Sequence, residues 1–307
     1  MLKIPNHNLM SAEDFFNSHI VANLPVILSG LASDSGAMTR WSFDFFSKVY
    51  GARMVEAVDR SGSSRRLSME SLIKGFEQSD RTPLYLRSLK IVNLDSALLD
   101  DVPRLPHFSF DLFQSAKSTR DFLKEIFIGA AGSGTPLHVD LWLSHSWMLL
   151  VTGVKEWIIV SPSVSKQFDL EKKTRLKAFN ENITASLEGV EYYRFLQYPG
   201  EIVYVPSGWW HAVTNVKDSI GVSFNFMDAF SLPDGFASTQ SRGAMFDELL
   251  ADYVPMLQQS NAIPVNSLVA DRLREEYLAF IDARLAQIER KKLELKNIRH
   301  KLLSSNL

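Results

Sequence analysis

The sequence predicts a mainly β domain that carries helical elements before its core and a helical extension after it. Three observations carry that expectation. Between residues 126 and 228, runs of β-branched and aromatic side chains alternate with Gly and Pro turn signals: EIFIGAAGSG, HSWMLLVTG, KEWIIVSPS, EIVYVPSG and SIGVSFNF. Short strands spaced this way close into an antiparallel sandwich or barrel. Residues 1 to about 125 mix helical and strand-like patterns. From Asp271 to Leu303 the chain has no Gly or Pro, and its apolar residues (Leu273, Tyr277, Ile281, Leu285, Ile288, Leu295, Ile298, Leu302) recur at spacings of three, four and seven.

In chain order, SAEDFFNSHI, WSFDFFSKVYG and SMESLIKGFEQ read as helices, and PVILSG and PLYLRSL as short strands. The basic SGSSRRLS at 61–68 reads as a mobile loop. The five β runs of 126–228 follow, interrupted by the polar KKTRLKAFNENITASLEG, a loop or helical excursion. Its NIT matches a glycosylation sequon, read as coincidence because MLKIPNHNLMSAEDFF shows no apolar signal region. The 271–303 pattern is that of an amphipathic helix, long enough for a helical hairpin or coiled coil. The expected division is a catalytic domain over 1–230 and a helical region over 231–307 that serves packing or homodimerisation. The basic last third of that region reads as a solvated helix face, with a nucleic-acid contact as the alternative.

Composition narrows the function classes. The chain has 307 residues, 46% hydrophobic and 22% charged, with a net charge of −2, an ordinary globular make-up with no global pull toward nucleic acid or anionic membranes. Cysteine is absent, which excludes disulfides, thiolate zinc sites and a cysteine nucleophile. The densest apolar run, Trp147 to Val151, is far too short to span a bilayer. A soluble, cytoplasmic protein (nuclear as an option in a eukaryote) is expected.

The chemistry concentrates in His138 and Asp140 of GSGTPLHVD and in His211 of YVPSGWWHAV. Two imidazoles and one carboxylate make the facial triad that holds ferrous iron and leaves three coordination positions open, as an oxygenase needs. Residues i and i+2 share one face of a strand, so His138 and Asp140 suit a β-barrel site that another strand completes with His211. The same donor set with water also suits Zn²⁺ in a hydrolase, although no general base is evident beside the ligands. Cupin enzymes that work without a keto acid carry an additional His and Glu in an HxHxxxxE-like pattern, and here Asp140 holds the second position.

Gly132 to Pro162 and Tyr198 to Phe226 resemble the Jumonji-C (JmjC) branch of the cupin superfamily. TPLHVD, thirteen residues to Gly153, then GVKEW is similar to the small hydroxylases related to the Jumonji-domain lysyl hydroxylase. PSGWWHAVTN is typical of that group and of the asparaginyl hydroxylase that inhibits the hypoxia-inducible factor. The resemblance covers roughly residues 20 to 228. It implies a double-stranded β-helix (jelly-roll) core and an oxygenase that uses iron(II), 2-oxoglutarate and dioxygen. It makes His138, Asp140 and His211 the metal ligands and Lys155 the anchor of the distal 2-oxoglutarate carboxylate. Thr135 and Tyr85 fall where the family places hydroxyl donors to that carboxylate. Asn225 matches a family asparagine near the co-substrate, with Ser223 on the same wall. One position departs: the related lysyl hydroxylases have asparagine after the tryptophan, and here it is Met148, which implies a rearranged or drier pocket.

Such an enzyme converts 2-oxoglutarate to succinate and carbon dioxide while hydroxylating an unactivated C–H bond, and demethylation is the same event at an N-methyl carbon. The expected substrate is a protein side chain. A free amino acid, a small metabolite or a tRNA base is the alternative with the same chemistry, and a noncatalytic JmjC-fold binding module is the alternative without it. Trp142, His145 and Trp209, close in sequence to the ligands, are the substrate-contact candidates, although one tryptophan of PSGWW also suits a buried structural role.

Overall fold

In chain order the strands are β1 (Asn6–Asn8), β2 (Val26–Ser29), β3 (Met54–Val58), β4 (Ser64–Ser68), β5 (Tyr85–Lys90), β6 (Lys124–Gly129), β7 (Gly134–His138), β8 (His145–Val160), β9 (Tyr192–Gln197), β10 (Ile202–Val205) and β11 (Trp210–Phe226). The structure, a computed structural model, describes residues 1–228 apart from 79–81, 110, 115–119, 122, 165–186 and 188, with a few isolated positions beyond. The expected C-terminal helices and most of the KKTRLKAFNENITASLEG segment therefore lie outside the described residues. The chain divides into two compact units, residues 1–239 and 240–307.

The strands β8 and β11 pair antiparallel along nearly their whole length and belong to two layers at once. The first half of β8 takes β10 as its other neighbour, and the second half takes β9. Strand β11 meets β7 near its start and β6 near its end. The larger layer runs β1-β2-β10-β8-β11-β6-β5-β3-β4, and β7 and β9 flank the other halves of the long strands. This is the jelly-roll core. Its interior cluster draws Ile27, Tyr85, Phe127, Met148 and Val203 from the larger layer and Trp157, Ile159 and Val213 from the smaller.

Sequence reading separates HSWMLLVTG from KEWIIVSPS, and the structure joins them into the single strand β8, which turns from one layer to the other at Gly153. Its φ is +91°, and a Cβ there would lie 2.2 Å from the Asp218 carbonyl oxygen and 2.8 Å from Ser219 Cα. Only glycine permits both the backbone conformation and the close approach. In β11 the register against β8 shifts between Asn215 and Gly221, which bends the partner strand at the same corner.

The helical patterns of the first half form helices at Ala12–Phe15, Phe43–Tyr50 and Met69–Lys74. Each begins on a serine, Ser11, Ser42 or Ser68, whose hydroxyl accepts from the backbone N–H three residues on. Such a cap stabilises a helix end by ~1 kcal/mol. The segment expected to be a mobile loop, SGSSRRLS, is instead the turn and second strand of the β3–β4 hairpin, with Arg65 and Arg66 opposite Ala57 and Glu56. Cross-strand pairing orders it where its polar composition alone suggested a loop.

Gly153→Ala is expected to lower unfolding stability by at least ~2 kcal/mol, from the left-handed backbone and the displaced carbonyl. Gly75→Ala, where an added Cβ meets nothing within 4 Å, is expected to be neutral within ~0.5 kcal/mol. Urea midpoints for the two variants, with m unchanged, make the comparison.

Candidate metal and co-substrate site

His138 ends β7 and His211 begins β11, and the two face each other across that antiparallel pair. Asp140 follows two residues after His138. Its Oδ1 lies 3.7 Å from His138 Nε2 and 3.8 Å from His211 Nε2, and one ligand atom from each of the three falls within 4.8 Å of the others. Both histidines aim Nδ1 at a backbone carbonyl, Pro136 O at 2.9 Å and Trp209 O at 3.2 Å. A carbonyl only accepts, so Nδ1 carries the proton and Nε2 presents its lone pair to the shared centre. Burial lowers the His138 pKa to about 4, the His211 ring adds to the shift, and Asp140 opposes it. A neutral imidazole is the form that binds a metal.

The Asp140 Oδ2 atom is buried with no hydrogen-bond partner, a costly arrangement for a carboxylate oxygen that a cation beside it would relieve. The donor set therefore fits a divalent metal.

Along the same inner face, the β8–β11 register places Ile159 opposite His211, Trp157 opposite Val213, and Lys155 opposite Asn215. Lys155 lies four residues from the metal end, roughly 13 Å by strand rise. Its side chain is completely buried. Nζ donates to Asn215 Oδ1 at 2.7 Å and to the Tyr85 hydroxyl at 3.2 Å, and it lies 5.2 Å from the Tyr85 ring centroid. These partners are neutral. Burial alone therefore lowers the lysine pKa from 10.5 to about 7. A buried ammonium without a counter-charge is prepared for an anion that the protein does not supply.

Tyr85 is also fully buried, which raises its pKa, and the Thr135 hydroxyl hydrogen-bonds it. The structure thus brings three predicted residues, Lys155, Tyr85 and Thr135, to one locus. Sequence reading missed the rest of the network. Asn215 donates through Nδ2 to Ser133 Oγ at 2.9 Å and accepts from Ser219 Oγ at 2.7 Å. Gly129 closes against it, since a Cβ there would lie 2.4 Å from Asn215 Nδ2 and 2.5 Å from the Tyr85 ring. The signal was present in PSGWWHAVTN: Asn215 shares a strand face with His211 at even spacing.

Between the two ends the wall is apolar. Met148 is buried in the cluster with Tyr85, Phe127, Trp157 and Val213, so an apolar side chain fills this part of the wall.

Ser223 and Asn225 lie on the same inner face as Met148, but away from the lysine: Ser223 Oγ donates to Trp147 O at 3.0 Å and Asn225 Nδ2 to Ser144 Oγ at 3.0 Å. The asparagine that accepts from Lys155 is Asn215. The substrate-contact candidates are all buried. His145 falls on the opposite face of β8 from Met148, where Nε2 donates to Asp228 at 3.2 Å and Nδ1 accepts from Ser207 N at 3.0 Å. Trp209 donates its indole N–H to Asn23 O at 2.9 Å. Trp142 packs edge-on against Phe113. Strand parity sends His145 to the outer face of β8.

Residues 125–226 match the JmjC domain, described as a hydroxylase. The chain is 30% identical over 233 residues to the lysine-specific demethylase JMJ21 of Arabidopsis thaliana, covering 70% of this chain and 24% of that protein. It is 25% identical to the mouse 2-oxoglutarate and iron-dependent oxygenase JMJD4, covering 75% and 62%. It is 27% identical to the Caenorhabditis elegans bifunctional arginine demethylase and lysyl-hydroxylase psr-1, covering 73% and 61%. The chain thus spans from 24% to 62% of the length of these relatives.

Because the folded-state pKa of Lys155 lies below its unfolded value, the unfolded chain binds the extra proton between about pH 7 and 10.5. The penalty of burying the ammonium is complete below that window and is relieved as pH rises through it. Lys155→Met is expected to stabilise the ligand-free protein by ~1–4 kcal/mol at pH 7, and its advantage over the wild type is expected to shrink toward pH 10. Paired denaturation curves across that range test this.

Proposed function

We propose that this chain, a member of the JmjC family, is an iron(II)- and 2-oxoglutarate-dependent oxygenase that hydroxylates an unactivated C–H bond on a protein side chain. The observation that carries the reading is the pairing of two incomplete sites on one inner face. At one end, three metal-ligand side chains surround an unpartnered buried carboxylate oxygen. At the other, a fully buried lysine has only neutral partners. A dicarboxylate keto acid is complementary to both: one end chelates a metal and the other brings the anion that Lys155 lacks. The relatives named as oxygenase, demethylase and lysyl hydroxylase support the same class and a protein substrate.

His138 and His211 would hold iron through Nε2 and Asp140 through a carboxylate oxygen. When bound, iron with 2-oxoglutarate and dioxygen supplies the oxidising chemistry, which yields succinate, carbon dioxide and a hydroxylated product.

The protein's own part is orientation and exclusion of water. Backbone acceptors at Pro136 and Trp209 fix the imidazole tautomers and ring planes. Lys155 Nζ, with the Tyr85 and Thr135 hydroxyls, receives the distal carboxylate. Phe127, Met148, Trp157 and Val213 keep the intervening wall apolar, so the ion pair forms where solvent screening is weak. Arrival of the anion raises the Lys155 pKa again, and above pH 7 binding takes up a proton at Nζ.

Succinate formed from 2-oxoglutarate by iron-loaded protein, without added substrate, is expected to fall at least ~100-fold in Asp140→Ala. In Lys155→Ala the KM for 2-oxoglutarate is expected to rise roughly 10- to 100-fold, the worth of a charge-assisted hydrogen bond. In the wild type that KM is expected to rise with pH above 7. Equal turnover in all three proteins would refute the reading.

A further inference from the structure

We propose that Glu125 selects the substrate by receiving the cationic group of a lysine- or arginine-type side chain at the mouth of the metal site, an assignment that rests on the oxygenase reading above. Strand β6 has an inner row of Gly129, Phe127 and Glu125. Gly129 abuts the Asn215–Tyr85 network around Lys155, and Phe127 belongs to the interior cluster. Glu125 is four residues from Gly129, roughly 13 Å along the strand. It pairs with Ser223, which pairs in turn with Met148 on β8. The row therefore begins at the lysine and ends in a carboxylate at the metal end.

The electrostatics agree with that placement: the Asp140 charge acts on the Glu125 carboxyl. Burial raises the Glu125 pKa first, the Ser88 hydroxyl bond opposes that, Asp140 repulsion adds to the rise, and attraction from Lys90 is the smallest contribution. Lys90 is its cross-strand neighbour on β5.

The local backbone is also arranged around it. Ser88 has φ +63° at the point where the β5–β6 register shifts between Leu86 and Leu89. A left-handed serine in a bulge costs ~1 kcal/mol or more, and here it turns a hydroxyl to Glu125. On the next strand Asn225 adds an amide to the same wall, tied to Ser144.

A half-buried carboxylate at the metal end is complementary to a cation. Asp140 would be taken up by the metal, which leaves Glu125 as the carboxylate of the β6 inner row for a substrate cation, beside Lys90 on β5. An ammonium or guanidinium held there by a charge-assisted hydrogen bond would set a target C–H group against the metal end, and an acidic or apolar side chain would be refused.

The test uses full-length protein loaded with redox-silent Mn(II) and 2-oxoglutarate, whose binding is measured first. The probes are the N-acetyl methylamides of lysine, arginine, norleucine and glutamate, with dissociation constants from manganese-induced NMR relaxation. The cationic amides are expected to bind the wild type at least ~tenfold more tightly than norleucine, as a charged hydrogen bond allows. Glu125→Gln is expected to abolish that preference, Glu125→Asp to retain part of it, and Glu125→Lys to reverse it toward glutamate. A wild type without the preference, or a preference unchanged in Glu125→Gln, overturns the role of Glu125 while leaving the oxygenase reading intact. Failure of the wild type to bind Mn(II) and 2-oxoglutarate overturns the oxygenase reading itself, and the Glu125 assignment with it.

Discussion

The register of β8 against β11 is the constraint on which the rest depends. It places His211 opposite Ile159 and Lys155 opposite Asn215, and so fixes the separation between metal end and lysine end along one inner face. A slip of one residue would turn Lys155 and Trp157 outward together, because side chains alternate along a strand. The pairing continues through both layers because Gly153 and the irregular stretch of β11 bend the two strands at the same place. The fold thus sets the spacing of the site directly, without loops to adjust it.

Electrostatics gives that geometry its purpose. A buried ammonium with neutral partners, a buried carboxylate oxygen with none and a second carboxylate at the mouth are each unfavourable in isolation. They persist because the core around them is stable enough to carry the cost. The cation and the metal ligands stand four residues apart along β8 and β11, and Glu125 ends the inner row of β6 in the larger layer, an arrangement that suits an anion, a divalent metal and a second cation.

The strand runs, the N-terminal helices and the metal triad were legible in the sequence because each has a local signature: alternation, helical spacing, or an HxD pair on one strand. Lys155 stood out as a lysine in an otherwise apolar strand. The asparagine that serves it did not, since setting Asn215 opposite Lys155 requires the register between strands, which composition does not encode. The outer-face position of His145 on β8 was hidden for the same reason. Proximity in sequence to Asp140 and His211 says nothing about which face of a strand a side chain takes. Glu125 was invisible because its importance lies in its neighbours across β5 and β11.

The most direct measurement of the central claim is an anaerobic titration of the iron(II)-loaded protein with 2-oxoglutarate and with 2-oxobutyrate, which lacks the distal carboxylate, in the wild type and in Lys155→Met. Two ends of one face acting together predict that the wild type prefers 2-oxoglutarate at least ~tenfold and that Lys155→Met binds both acids alike. Equal affinity for the two acids in the wild type would contradict the account, because the lysine end would then have no part in holding the co-substrate.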